Sequence, residues 1–247
     1  MEENKYVLEV RGLKKTYGTF EAVKGIDFTI SKGEVFALIG PNGAGKTTTL
    51  RMISTLLSIT AGEIYINGIN IKNNGEKARQ LITYLPDEAG AYKNMKGIDY
   101  LKFMASLYTD DSEKAKESVE FARRICGLGD RLNDKVSAYS RGMTRKLLLS
   151  RAVMTKPSLA VLDEPTSGLD IINGLEIRNL IKRLVIEENM SFLISGHNML
   201  EIEYISNRVA IIDKGIIHAT GTCAELKTKF GSDNLEEVFV EAVKGNE

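Results

Sequence analysis

Residues 35–53 read Val-Phe-Ala-Leu-Ile-Gly-Pro-Asn-Gly-Ala-Gly-Lys-Thr-Thr-Thr-Leu-Arg-Met-Ile. An apolar run ends at Ile39, a glycine-rich loop follows, and a helix-compatible stretch begins at Lys46. Strand, loop and helix in that order, with Lys and Thr opening the helix, are what the phosphates of a nucleoside triphosphate require. Asn42, Gly43 and Gly45 let backbone N–H groups turn inward around the phosphates. The new helix aims its unpaired N–H groups and positive dipole end at the same charge. In this arrangement Lys46 reaches the β- and γ-phosphates, Thr47 gives its hydroxyl to Mg²⁺, and Thr48 touches the α-phosphate. The alternative is a glycine-rich turn that binds nothing, and the Lys-Thr pair and both flanking elements tell against it.

Working outward, the 247 residues suit one large domain or two small ones, and 43% apolar residues is ample for a packed core. The 33 basic and 33 acidic residues cancel, so no overall field favours nucleic acid. Cys126 and Cys223 stand far apart without metal-ligand spacing, as expected of free thiols in a reducing compartment. The first residues lack a basic segment followed by an apolar one, and no run approaches the roughly 18 to 20 apolar residues of a membrane span. A cytoplasmic chain is expected.

Residues 5–39 alternate apolar and polar positions over short runs and are expected as antiparallel strands. Ile64-Tyr65-Ile66 and Ile69-Asn70-Ile71 flank Asn67-Gly68, a hairpin turn. From about residue 93 to 155 the period becomes helical, with Tyr100, Phe103, Met104 and Leu107 on one face. Leu159-Ala160-Val161-Leu162 and Ser191-Phe192-Leu193-Ile194 are buried strands on either side of a helix over about 173–188. Val209–Ile212 and Ile216-Ile217 flank Asp213-Lys214-Gly215 as a closing hairpin. Alternating buried strands and helices imply an α/β fold with a mostly parallel sheet.

A second chemical centre is Leu162-Asp163-Glu164-Pro165. An Asp at the carboxyl end of a buried strand stands beside the phosphate loop and holds Mg²⁺, and Glu164 is placed to polarise an attacking water. An isolated Asp-Glu pair would read as a solvated turn; the apolar strand before it and the phosphate loop upstream reverse that reading. A third centre, Tyr139-Ser140-Arg141-Gly142-Met143, opens a long helix on which Met143, Leu147 and Met154 share a face. Alone it is a Ser-capped helix start.

In order, these three centres resemble those of ABC ATPases, whose signature is usually Leu-Ser-Gly-Gly-Gln. Ser140 and Gly142 match it, and Tyr139, Arg141 and Met143 depart. The resemblance runs from about Tyr6 to Leu226. It implies a P-loop NTPase cassette with a RecA-like, mostly parallel core, an antiparallel β subdomain and an inserted helical subdomain. One domain over 1–226 is expected, the helical block lying at about 87–155 and a short tail at 227–247. The tail's Leu235, Val238 and Phe239 are expected to pack on the core or on a second subunit.

The same resemblance assigns further residues. Tyr17 stacks on adenine, with Val23 near the same contact. Asp170, ending Ser167-Gly168-Leu169-Asp170, lies at a subunit boundary, and His197 is the switch histidine. Ser140, Arg141, Gly142 and Asp170 then face the nucleotide held by another subunit, so that ATP and Mg²⁺ are sandwiched between two copies or two related chains. Family members often carry a glutamine after a Tyr-x-Pro turn; here Tyr84-Leu85-Pro86 leads into Asp87-Glu88, and an acid at Asp87 or Glu88 is expected to reach Mg²⁺. Arg141 either touches ATP across the interface or points into solvent. The resemblance further implies an ATPase peripheral to the cytoplasmic face of a membrane, driving a separate permease. The group it suggests exports sodium, drugs or antimicrobial peptides, and the permease docks near Tyr92, Tyr100 and Phe103 unless those rings fill the helical core.

Rival classes fit less well. A ribosome-acting ABC protein usually carries two cassettes and a basic linker. A DNA-maintenance ATPase needs a long coiled-coil or zinc insertion between the loop and the signature. No Asn-Lys-x-Asp guanine motif is present. No nucleic-acid partner is expected.

Overall fold

The computed structural model describes residues 5–244. Alternating apolar residues pair β1 (Tyr6–Tyr17) with β2 (Phe20–Ser31) as antiparallel strands. β3 (Val35–Ile39) is buried at every position and leaves that pairing for the centre of a second sheet. The antiparallel expectation for residues 5–39 therefore fails at its last five. A strand apolar on both faces has nowhere to turn a polar side, and belongs between two layers.

The phosphate loop leads from β3 into α1 (Lys46–Ile53). The hairpin of β4 (Ala61–Ile66) and β5 (Ile69–Asn70) turns at Asn67-Gly68, both at positive φ as a two-residue hairpin turn requires. After the short α2 (Gly75–Arg79) come β6 (Ile82–Leu85) and the helical block of α3 (Gly97–Tyr108), α4 (Ser112–Ile125) and α5 (Arg141–Val153). Then follow β7 (Leu159–Leu162), α6 (Ile171–Glu188), β8 (Ser191–Gly196), α7 (Met199–Ile205), β9 (Arg208–Asp213), β10 (Ile216–Gly221), α8 (Cys223–Phe230) and α9 (Leu235–Lys244).

The first sheet has the order β2-β1-β4-β5, and the second β10-β9-β3-β8-β7-β6. In the second sheet every pair is parallel except the closing hairpin of β9 and β10. β3 divides its side chains between two cores. Phe36 and Leu38 pack with β1, β2 and α1, while Val35, Ala37 and Ile39 pack with the helices on the opposite face. Leu235 and Val238 of α9 are buried in that helical core and Phe239 rests against it, so the tail packs on its own chain. α8 runs through the expected boundary between residues 226 and 227. No helix among the described residues is long and apolar enough to cross a membrane.

One consequence of the strand order positions the site. β3, β8, β7 and β6 are consecutive neighbours, so the phosphate loop, Ser195-Gly196-His197, Asp163-Glu164 and Pro86-Asp87 all leave the same carboxyl edge.

Candidate nucleotide site

At Gly45 the backbone has φ +105°, and a Cβ there would stand 2.8 Å from the carbonyl oxygen of Ala22; only glycine suits both the conformation and the space. The loop also lies close against β9, since a Cβ on Gly40 would meet the Ile212 carbonyl at 2.0 Å. α1 begins at once, with no side chain capping its first N–H groups. Those donors, with Thr47 and Thr48 in the first turn, remain available to an anion. Asn42 and Gly43 form the exposed crest of the loop.

Lys46 is buried and folds back over its own loop, its Nζ donating to the carbonyls of Gly40 (2.7 Å) and Pro41 (3.1 Å). It stands 3.9 Å from Glu164 Oε1. Burial draws its pKa below the ordinary lysine value, while Glu164 and Asp163 pull the other way. The other carboxylate oxygen of Glu164 is 2.9 Å from His197 Nδ1, and the His197 side chain is 57% exposed. Glu164 itself has φ +45°, a conformation that costs a non-glycine residue energy and is held here by its surroundings.

Asp163 is buried at the end of β7. The Ser195 hydroxyl donates to its Oδ1 at 2.5 Å and accepts the Glu164 N–H at 2.9 Å, so one serine fixes both acids. The Tyr84 hydroxyl donates to Asp163 Oδ2 at 3.2 Å. Burial first, and the Asp163 charge second, push the Tyr84 phenol up to about 12, which keeps it a donor throughout the neutral range. Among the described residues no three His, Cys, Asp or Glu side chains converge as a protein-only metal cage. The donor set present is the Asp163 carboxylate and the Thr47 hydroxyl, hard oxygens suited to Mg²⁺ when phosphate completes the shell.

The structure therefore brings Lys46, Asp163, Glu164 and His197 together as expected. Asp87 is exposed, and what ties it to the acids is its carbonyl, through Arg145, rather than its carboxylate. Tyr17 is 48% exposed at the end of β1, with Lys15 Nζ 5.0 Å from its ring centroid. Val23, expected near the same contact, is fully buried and lies against Gly45, beneath the loop.

Ser140 caps α5 by accepting the Met143 N–H at 3.2 Å and is itself exposed. A Cβ on Gly142 would stand 2.3 Å from the Asn173 side chain, which Asp170 holds by accepting its N–H (2.9 Å) and its Nδ2 (2.6 Å). Those bonds from Asn173 also lower the Asp170 pKa. Arg141 is exposed and anchored within its own chain. Its Nη2 donates to the Ser167 carbonyl at 3.1 Å and its guanidinium covers Gly168, so it links the 140–142 and 167–170 segments of one chain.

Three residues at the site escaped the sequence reading. Ser195 is a polar residue in a wholly buried strand, which itself calls for a partner. Arg145 shares a buried helical face with Leu148, Leu149 and Ala152, where a cation is costly unless satisfied. Lys15 is buried beneath Tyr17 and donates to the Ser58 carbonyl at 2.7 Å.

Residues 23–167 match the family model described as ABC transporter. The chain belongs to the ABC transporter family. It is 36% identical over 237 residues to the linearmycin resistance ATP-binding protein LnrL of Bacillus subtilis (strain 168), covering 96% of this chain and 76% of that one. It is 32% identical over 228 residues to the daunorubicin/doxorubicin resistance ATP-binding protein DrrA of Streptomyces peucetius, covering 92% and 69%. A solved ATP-binding subunit of an ABC transporter superposes with a TM-score of 0.84 at 28% identity, over 96% of this chain and 99% of that one. In this family member the phosphate loop lies on the edge built from β3, β8, β7 and β6.

Proposed function

We propose that this chain is the ATP-hydrolysing motor of a drug exporter, working as a head-to-tail pair beneath a separate membrane permease. The observation that carries the reading is Glu164, one carboxylate oxygen turned to Lys46 and the other to His197, beside a loop whose helix N-terminus is open to an anion. The resistance functions named for LnrL and DrrA support the exporter class.

ATP enters with its adenine on the exposed face of Tyr17, its phosphates against the N–H groups of Asn42, Gly43 and Gly45, and Thr48 on the α-phosphate. Lys46 exchanges its bonds to Gly40 and Pro41 for β- and γ-phosphate oxygens. Thr47 and Asp163 are the ligands we assign to Mg²⁺, with Asp87 an outer acid; bound there, the ion neutralises charge on the β- and γ-phosphates. Glu164 orients water for in-line attack, and Lys46 with His197 stabilises the charge that develops. A second copy, or a related subunit, presents Ser140 and Gly142 to the γ-phosphate, with the Asp170 segment at the boundary. Arg141, held by Ser167, moves with that segment.

Residues 1–226 form the cassette in this reading, with the block at about 87–155 as the arm that meets the permease. Tyr92 and Phe103 support that placement: they pack edge-to-face at 5.7 Å and stay exposed, whereas Tyr100 is core. The pair sits at the cytoplasmic face of the membrane.

The test is to purify the parent and Glu164→Gln proteins. The parent hydrolyses Mg·ATP; the variant binds ATP, hydrolyses it at a background rate, and brings down a multi-span membrane protein from native membranes. Hydrolysis by the variant at the parent rate, or recovery of ribosomes or DNA in place of a membrane protein, overturns the reading.

A further inference from the structure

Arg145 makes an arrangement that the ATP site alone does not require. Its side chain enters the sheet's carboxyl edge from the second turn of α5 and is 7% exposed. A guanidinium has five N–H donors, and here each has a main-chain carbonyl. Nε donates to Pro165 at 2.8 Å, Nη1 to Pro86 at 3.1 Å and Asp87 at 3.0 Å, and Nη2 to Asp163 at 3.1 Å and Glu164 at 2.9 Å. The cation takes no carboxylate oxygen in these five bonds, so its desolvation is offset by carbonyl dipoles. Burial accordingly draws its pKa below the ordinary arginine value, with Asp87 opposing.

These carbonyls belong to two segments that the sheet has ceased to join. The parallel pairing of β6 with β7 ends at Leu85 and Leu162, and beyond it the Asp163 N–H still donates to the Leu85 carbonyl at 2.8 Å. After that bond the chains part, one toward the helical block and the other toward the 167–170 turn. Arg145 replaces the missing ladder with five bonds from one rigid plane.

We propose that Arg145 is a positioning residue for hydrolysis: from the helix that Ser140 opens, it holds the Pro86-Asp87 turn and the acid-bearing 163–165 segment as one body, so that Glu164 is aligned only when both are in place. The proposal rests on the ATPase reading above. A lysine cannot reproduce it, because three donors radiating from one nitrogen do not span carbonyls on both segments.

The experiment compares the parent protein with Arg145→Lys and Arg145→Gln, full-length, for steady-state hydrolysis, ATP binding and amide hydrogen exchange. In both variants kcat falls at least tenfold while the ATP dissociation constant stays within twofold. Exchange quickens at 86–89 and 163–169, and the interior of α5 at 147–153 keeps its protection. A kcat within twofold of the parent in Arg145→Lys overturns the proposal. So does loss of protection throughout α5 and the central sheet, which would make Arg145 a fold-stabilising residue only. A parent protein without ATPase activity refutes the ATPase reading, whereas an active parent with unchanged variants refutes only the role of Arg145.

Discussion

Ser195 shows how much one hydroxyl controls at this site. It donates to Asp163 and accepts from the Glu164 backbone, so Ser195→Ala leaves a half-buried N–H without this partner and frees one oxygen of a buried carboxylate. Loss of a buried partner costs on the order of 1–3 kcal/mol, and urea unfolding of Ser195→Ala should show a loss of that size. Its hydrolysis should fall further than its ATP binding, because what has moved is the backbone of Glu164. Tyr84 makes a separate pH prediction. Its phenol titrates near 10 when unfolded and is held up to about 12 in the fold. The protonated form is the one the fold favours, so its contribution is complete below pH 10 and declines as the pH rises from 10 to 12. Denaturant titrations at pH 9 and 11.5 should therefore show a smaller alkaline loss in Tyr84→Phe than in the parent. Lys46, Asp163 and Glu164 are legible in the sequence because each sits at a fixed offset from a strand end, and His197 through the family resemblance. Ser195 and Arg145 are not, because a lone serine or arginine acquires its meaning from carbonyls and carboxylates brought to it by other strands.

At the scale of elements, the contact between α5 and α6 is set by a glycine and an asparagine. Asn173, fixed by Asp170 at the start of α6, fills the space where Gly142 lacks a side chain. Gly142→Ala places a methyl within that side chain and forces α5 away from α6, an overpacking cost of about 1–3 kcal/mol. The double variant Gly142→Ala/Asn173→Ala should recover most of the lost stability in thermal unfolding, and equal losses in the single and double variants would place the conflict elsewhere. The helical start at Ser140 was readable from the sequence, whereas the neighbour that demands glycine at 142 was not, since thirty-one residues separate them. β3 teaches the same lesson. Its apolar run identified a strand, yet its place in the parallel sheet followed from burial on both faces, which local alternation upstream obscured. Val23 likewise is buried against Gly45, a contact made by the fold and not visible in the local sequence.

The whole molecule exposes surfaces that a single copy leaves unused. Ser140 is exposed at the start of α5, and Ile171 and Ile172, just beyond Asp170, are 85% and 72% exposed. Large apolar side chains so bare beside a nucleotide site suit a face that closes on another subunit. If each ATP lies between the loop of one copy and the Ser140 segment of the other, damage to the two halves should complement. Ser140→Arg spoils what a chain offers its partner, at the cost of the α5 cap, and Glu164→Gln spoils what it does with its own ATP. Each variant alone should hydrolyse at a background rate. In an equimolar mixture, random pairing gives half mixed dimers, each with one intact site of two, so activity should recover to about a quarter of the parent rate. The recovered rate should rise with total protein concentration, since it depends on pairing. A mixture no faster than its components would mean that each chain hydrolyses ATP within itself. The Ser140 and Asp170 segments would then be structural ends of α5 and α6, and the exposed isoleucines would need another partner.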